Sequence, residues 1–289
     1  MKKISVIVPV YNRLKHLRSL LICLLNQEVQ PFELIISDDG SSEKIMDFIE
    51  DLVPRAKFKI KYVWQEDLGF RKTRALNNAV KESEGEILVF CDQDLLFPED
   101  YLKVISQNIS KNIFLMSRPM STTEIEKERI MNDLDKGIKY RDIIKYLPDS
   151  YVKGEKKTLK KDFFRRILNK IKLNKRGIRL VGMSYAMYKE VYIAVNGYDE
   201  QYRGWGLEDD DFGNRLYVYG IKGKEMRANY IQLHLYHPFD PTKKQSANER
   251  YYYKRKKEIF KTKKFICEYG YNNSYDEDKV KVSKIKEII

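Results

Sequence analysis

Apolar runs and stretches of helical spacing alternate along the first third of the chain. Residues 4–10, 32–37, 58–64 and 86–91 are short and rich in Ile, Val and aromatic side chains, so they read as strands. Between them, residues 14–26, 43–52 and 73–83 place apolar side chains three and four apart, as helices with one buried face do. Strand–helix alternation with short links predicts a parallel α/β sheet covered on both faces. Ligands in such sheets bind beyond the carboxyl ends of the strands. The segments that follow the runs are Pro9-Val10-Tyr11-Asn12, Asp38-Asp39-Gly40-Ser41-Ser42, Gln65-Glu66-Asp67 and Asp92-Gln93-Asp94. Acidic groups therefore converge on one edge.

The pattern changes after residue 116. Residues 117–180 have a lower apolar density and predict polar helices. Regular order resumes at Val181 and runs through Gly197-Tyr198-Asp199-Glu200 and Gly204-Trp205-Gly206-Leu207 to Glu208-Asp209-Asp210-Asp211. An amphipathic helix is expected next, carrying Phe212, Leu216, Val218 and Tyr219, and then a strand ending near His237-Pro238. Residues 243–265 read as a basic, Tyr-rich helix, and the last residues are expected to fray.

Composition narrows the class. The chain has 289 residues with 43% apolar and 34% charged side chains, long enough to bury about three quarters of its unfolded surface. No stretch approaches the ~18 uninterrupted apolar residues of a membrane span. The start resembles a signal peptide, but Tyr11-Asn12-Arg13 interrupts the apolar run, and a buried strand is the better reading. Three widely spaced cysteines (Cys23, Cys91, Cys267) point to a reducing, cytoplasmic setting. The net charge of +13 is unevenly spread. Residues 151–180 hold twelve basic residues against two acidic ones, and residues 243–289 hold fourteen against seven. The remaining body is mildly acidic, which argues against a nucleic-acid-binding domain.

Within the basic insert, Phe163, Phe164, Ile167, Leu168 and Ile171 recur at helical spacing among Lys160, Lys161, Arg165, Arg166, Lys170 and Lys172. Such a helix, over residues 158–173, can lie on an anionic membrane surface or can pack against its own domain. Periodicity leaves both readings open.

Three constellations carry candidate chemistry. Asp92 and Asp94 flank one residue at a strand end; two carboxylates that close are unfavourable unless a cation neutralises them, and a hard divalent ion would do so. A solvated turn is the simpler alternative for the tripeptide taken alone. Glu208–Asp211 opens a helix, where acids suit the macrodipole, yet four are more than a cap needs. Trp205 between two glycines gives a platform for a sugar ring, and one neighbouring carboxylate can act as a general base. His234 and His237 fall on opposite faces of an extended strand, so one imidazole ligand is favoured over two unless the backbone turns between them.

Together these segments, with 71–79 (Arg-Lys-Thr-Arg-Ala-Leu-Asn-Asn-Ala), resemble family 2 glycosyltransferases of the GT-A fold. Residues 204–211 are similar to the acceptor-side motif of β-1,4-galactosyltransferases and chondroitin-polymerase-type enzymes. The resemblance covers residues 4–98 and 181–238 and implies a Rossmann-like, mixed, mainly parallel sheet flanked by helices, with a basic helical insert and a C-terminal helical tail. It divides the chain into a donor-binding part (1–116), the insert (117–180), an acceptor and catalytic part (181–242) and the tail (243–289).

The activity implied is inverting, metal-dependent transfer of a hexose or N-acetylhexosamine from a UDP-sugar to a glycan hydroxyl. The acceptor would be free or lipid-linked, in bacterial surface polysaccharide or capsule synthesis. By position, Pro9, Tyr11, Asp38 and Asp67 would surround the nucleoside, Arg71 the diphosphate, and Asp92 the ribose or metal-bound water. Asp94 with His237, and His234 as a departure from the family's Met, would hold Mn²⁺ or Mg²⁺. Trp205, Glu208 and Asp210 would bind the acceptor, and Asp209 would be the base. The family's doubled Trp-Gly is single here, since Arg203 precedes Gly204. The competing readings are a nucleotidyltransferase, which normally needs a Gly-rich basic loop after the first strand, and a non-catalytic glycan-binding protein. A cytoplasmic enzyme, peripheral on the inner face of the cytoplasmic membrane and without nucleic-acid partners, is the expectation.

Overall fold

A computed structural model describes residues 2–173, 178–226, 232–238 and 246–288. Its strands are β1 (Ile4–Val10), β2 (Glu33–Asp38), β3 (Lys59–Gln65), β4 (Ile87–Cys91), β5 (Leu95–Leu96), β6 (Ile113–Met116), β7 (Met120–Ser121), β8 (Ser184–Tyr188), β9 (Lys222–Glu225), β10 (Leu233–His234) and β11 (Val280–Lys286). The helices are α1 (Leu14–Leu25), α2 (Met46–Ile49), α3 (Lys72–Glu82), α4 (Tyr101–Asn108), α5 (Glu124–Asp135), α6 (Tyr140–Ile143), α7 (Asp149–Lys170), α8 (Lys189–Ala194), α9 (Glu208–Tyr219) and α10 (Glu249–Thr262).

Eight strands form one mixed sheet in the order β11-β3-β2-β1-β4-β8-β6-β9. Its centre, β3-β2-β1-β4, is parallel, as the alternation of the first third requires. β8 inserts antiparallel between β4 and β6, so residues either side of the insert share one sheet. Almost every β1, β2 and β4 side chain is buried, because helices cover both faces. A small second sheet, β5-β10-β7, stands beside the large one and carries His234.

Two expectations change. The C-terminal residues do not fray: β11 pairs antiparallel with β3 along the sheet edge. Its alternation of Val280, Val282 and lysines is that of a charged edge strand, which reads from sequence as a solvated tail. The helix expected over 43–52 shortens to α2, followed by a 3-10 turn at Val53–Arg55 that contains Pro54.

The insert forms α5, α6 and α7. Buried Asp162 anchors α7 through Arg118 Nε at 2.9 Å. The apolar residues beyond it are left partly open to solvent: Phe163, Phe164, Ile167, Leu168, Ile171 and Leu173 are between 39% and 76% exposed. Among the described residues, no helix is long and apolar enough to cross a membrane.

Candidate active site

The chain leaves β1 through a left-handed turn at Asn12 (φ 52°) and Arg13 (φ 53°). Asn12 tolerates this conformation, and its Oδ1 accepts hydrogen bonds from the amides of Ser42 and Glu43. Gln93 links the β1 and β4 ends, accepting from the Tyr11 amide at 3.1 Å and donating to the Asn12 carbonyl at 2.8 Å. The resulting cleft, of about 540 Å³, lies at the carboxyl ends of the central strands.

On its first wall are Pro9, Tyr11 and Asp39. The Tyr11 hydroxyl donates to Asp67 at 2.9 Å. Asp38, proposed from sequence to face the nucleoside, turns away: it is fully buried, accepting from Tyr62 Oη and the Ser41 amide, both at 2.7 Å. The cleft carboxylate is its neighbour Asp39, which burial pushes up to about 6 against the hydrogen bond from the Arg71 amide. Arg71 also departs from its expected place. Its guanidinium is buried between Asp276 (3.0 Å) and Asp278 (2.8 Å), outside the cleft lining. Two other cations do line the cleft: Arg13, whose guanidinium lies 4.0 Å from Asp94 Oδ2, and Lys72, whose Nζ donates to Asp92 Oδ1 at 2.6 Å. Lys72 was missed because α3 begins at residue 72, so that adjacent Arg71 and Lys72 point to different sides.

At the cleft floor, Asp94 meets two imidazoles. His234 Nε2 and His237 Nε2 each lie 3.5 Å from Asp94 Oδ2, and one ligand atom from each residue falls within 4.8 Å of the others. Both histidines reach one point because the strand stops at His234 and the chain turns: the Leu235 amide donates to the Asp94 carbonyl at 2.8 Å, and the Tyr236 amide to Thr122 Oγ1 at 2.9 Å. Both imidazoles face Oδ2, while Asp94 Oδ1 is buried with no hydrogen-bond partner, an unmet demand that a bound cation would satisfy at this carboxylate. Two imidazoles and a carboxylate make a mixed nitrogen and oxygen donor set, which suits a divalent ion such as Mn²⁺ or Zn²⁺.

Charge tuning follows this packing. Burial works against the Asp94 carboxylate, yet the hydrogen bond from His234 and the charge of both rings bring it down to about 2. His234 is raised, Asp94 outweighing burial, whereas burial lowers His237. Burial raises Asp92, opposed by Lys72. The lysine is raised in turn, because Asp92 and Asp209 outweigh its own burial.

The opposite wall comes from the start of α9. Gly204 (φ 76°), Gly206 (φ 101°) and Leu207 (φ 74°) are left-handed, and this tight loop sets Trp205 upright, 43% exposed, at the cleft edge. Asp209 Oδ1 accepts from Tyr198 Oη at 2.8 Å and Oδ2 from the Gly182 amide at 3.1 Å. Glu208 is buried and its Oε2 has no partner. Burial, then the Asp209 charge, pushes it up to about 8. Asp210, expected beside the acceptor, lies outside the lining of the cleft; it pairs with Arg179 at 2.8 Å and accepts from Tyr252 of α10.

Of the residues singled out in the sequence, Pro9, Tyr11, Asp92, Asp94, Trp205, Glu208, Asp209, His234 and His237 thus line one cleft. Asp67 stands behind Tyr11. Asp38, Arg71 and Asp210 do not line it. A mainly parallel α/β sheet with acidic, imidazole and aromatic groups across one cleft defines a protein built to hold a polar ligand at its strand ends. Its family follows from comparison. The glycosyl transferase family 2 pattern matches residues 5–168, and the pattern described as the N-terminal domain of galactosyltransferase matches residues 163–238. The chain belongs to glycosyl transferase family 2.

Among curated proteins it is 26% identical to a chondroitin synthase of Escherichia coli, over 75% of this chain and 32% of that one. It is 27% identical to a hyaluronan synthase of Pasteurella multocida, over 75% and 23%. With a validoxylamine A glucosyltransferase of Streptomyces hygroscopicus subsp. limoneus it shares 25%, over 75% and 48%. The match therefore spans about a quarter to a half of the length of these relatives. Among solved structures, S. aureus TarS in complex with UDP-GlcNAc superposes with a TM-score of 0.57 at 17% identity, over 88% of this chain and 64% of that one. This likeness establishes the GT-A fold. Family membership removes the nucleotidyltransferase reading.

Proposed function

We propose that this chain transfers a hexose or N-acetylhexosamine from a UDP-sugar to a glycan hydroxyl with inversion. The observation that carries the reading is that Asp209 and the Asp94–His234–His237 cluster face the same cleft. Asp94, His237 and His234 would hold Mn²⁺, the two imidazoles disfavouring the Mg²⁺ alternative; the ion when bound supplies charge to stabilise the departing diphosphate.

The protein's own groups do the rest. Pro9, Tyr11, Asp39 and Asp67 bound the nucleoside side. Lys72 neutralises Asp92 and presents its ammonium where negative charge develops. Trp205 gives the acceptor ring an apolar floor, and Glu208, protonated near neutral pH, donates a hydrogen bond to an acceptor oxygen. Asp209, oriented by Tyr198 and Gly182, removes the proton of the attacking hydroxyl. A single in-line displacement gives a β linkage from an α-linked donor.

The test is a panel of UDP- and GDP-sugars with Mn²⁺, scored for free nucleotide with and without acceptor. Asp209→Asn is expected to bind donor and lose transfer. Transfer at the wild-type rate by that variant removes Asp209 as base. Donor binding with no nucleotide release under any condition leaves a non-catalytic glycan binder.

The acceptor is further proposed to be lipid-linked, in surface-polysaccharide assembly at the inner face of the cytoplasmic membrane. The exposed Phe163, Phe164, Ile167 and Leu168 among basic neighbours support docking on an anionic bilayer. Phe163→Glu with Phe164→Glu should abolish flotation with phosphatidylglycerol vesicles, and undiminished flotation overturns it.

A further inference from the structure

The loop that carries Trp205 contains two left-handed glycines and a left-handed leucine. Glycine loses more conformational freedom on ordering than any other residue, so such a loop holds one geometry only if something outside it does the holding. The holder is α10. Asn248, one residue before that helix and only 5% exposed, donates from Nδ2 to the carbonyls of Gly206 (3.1 Å) and Gly204 (3.4 Å). Ser246 Oγ donates to the same Gly206 carbonyl at 3.3 Å, and the Asn248 amide donates to Ser246 Oγ at 3.2 Å. Both Asn248 contacts run to carbonyl oxygens, so the amide nitrogen must face the loop.

The helix behind Asn248 is itself tied down, through Tyr252 to Asp210 and Arg255 to Asp199 at 3.6 Å. On the other side, the Gly204 amide donates to the Phe70 carbonyl at 3.0 Å. A second cavity, of about 340 Å³, opens between Trp205, Glu208 and Asp209 and the residues Ser246 and Glu249. The indole thus stands between the donor cleft and a hollow bordered by the start of α10.

We propose that Asn248, in a segment that neither family pattern reaches, is a positioning residue that sets Trp205 and with it the acceptor site. The hollow beside Ser246 and Glu249 seats the ring of a glycoside acceptor. This rests on the transferase reading above, and the test separates the two.

Asn248→Asp keeps the side-chain shape but removes both donors and turns oxygen toward two carbonyls. Asn248→Ala is the milder second variant. Each is made in a Trp64→Phe background, which leaves Trp205 as the sole indole of the two Trp residues. Three readouts are taken: acrylamide quenching of Trp205, acceptor-independent nucleotide release from a UDP-sugar with Mn²⁺, and the KM for p-nitrophenyl β-glycosides. The expected result is increased quenching, nucleotide release at the background value, and an acceptor KM raised about tenfold for the loss of two neutral hydrogen bonds.

Quenching at the background value in both variants overturns the proposal. So does increased quenching with an unchanged KM, or a matching loss of nucleotide release, which marks a general role in folding. If the parent neither releases nucleotide nor turns over any glycoside, the transferase reading is at fault, and the quenching alone decides whether Asn248 holds the loop.

Discussion

Tyr198 donates its hydroxyl hydrogen to Asp209 at 2.8 Å, and the Tyr185 hydroxyl lies 2.8 Å behind it. This buried pair of phenols aims one carboxylate into the cleft. Tyr198→Phe keeps the ring packing against Phe212 (centroids 4.5 Å apart) but releases Asp209 Oδ1. The expected outcome is a kcat lower by about ten- to a hundredfold with an unchanged donor KM, read from initial rates. Gly182→Ala should give the same signature, because a Cβ there would fall 2.1 Å from Asp209 Oδ1.

The Asp94–His234–His237 cluster leads to a prediction about metal. Chelation with EDTA is expected to stop nucleotide release and Mn²⁺ to restore it. His237→Ala should weaken Mn²⁺ affinity by at least about tenfold, measured by calorimetry. Protons compete for the imidazoles, so affinity should fall as the pH drops through their titration range. His234, raised beside Asp94, should release a proton on binding, visible as a buffer-dependent enthalpy. Equal affinity for Mn²⁺ in wild type and in the His234→Ala, His237→Ala double variant would refute this site.

Glu208 makes pH a further handle. Its ordinary value of 4.5 rises to about 8 through burial and then the Asp209 charge. The folded state therefore holds this proton more tightly than the unfolded chain. Stability from this group is fully present below about pH 4.5, declines as the pH rises, and is lost above about 8. Glu208→Gln, which cannot ionise, should gain stability relative to wild type at pH 9 compared with pH 4. Denaturant melts at the two pH values check this, and an equal difference at both would contradict it.

Asp278 bridges Arg71 (2.8 Å) and Arg74 (2.9 Å) and so fastens the segment before β11 to α3. Asp278→Asn leaves two buried guanidinium groups short of charge and should cost about 3 kcal/mol. Burial acts to raise this carboxyl, but the two arginines lower it, so its contribution is present at neutral pH and is lost as the pH falls through its depressed value. Urea titrations of wild type and variant at pH 7 test the magnitude. A difference below about 0.5 kcal/mol, that of a surface pair, would show the strap to be incidental.

Much of the N-terminal sheet was legible because β1, β2 and β4 are buried on both faces and so appear as largely apolar runs, while β3 alternates. Asp92, Asp94 and Asp209 could be named because acids clustered at strand and helix ends are conspicuous. Asp38 against Asp39, and Arg71 against Lys72, could not be separated. The register of a strand end and the first turn of a helix decide which of two adjacent side chains faces the cleft, and composition is the same either way. The second histidine depended on a turn after His234 that alternation does not contain. The edge strand β11 was hidden because lysines on a sheet edge look like lysines in a coil.

The amino-acid sequence by itself determined the alternating α/β core, the acidic crevice at its carboxyl edge and the basic apolar segment, since burial and charge are written locally, residue by residue. Only the tertiary structure decided that Asp94, His234 and Asp209 share one cleft, that Arg71 serves a C-terminal strap instead of that cleft, and that the segment leading into α10 grips the loop of Trp205. Those are relations between residues far apart in the chain, and they exist only once backbone hydrogen bonds and packing have set the distances.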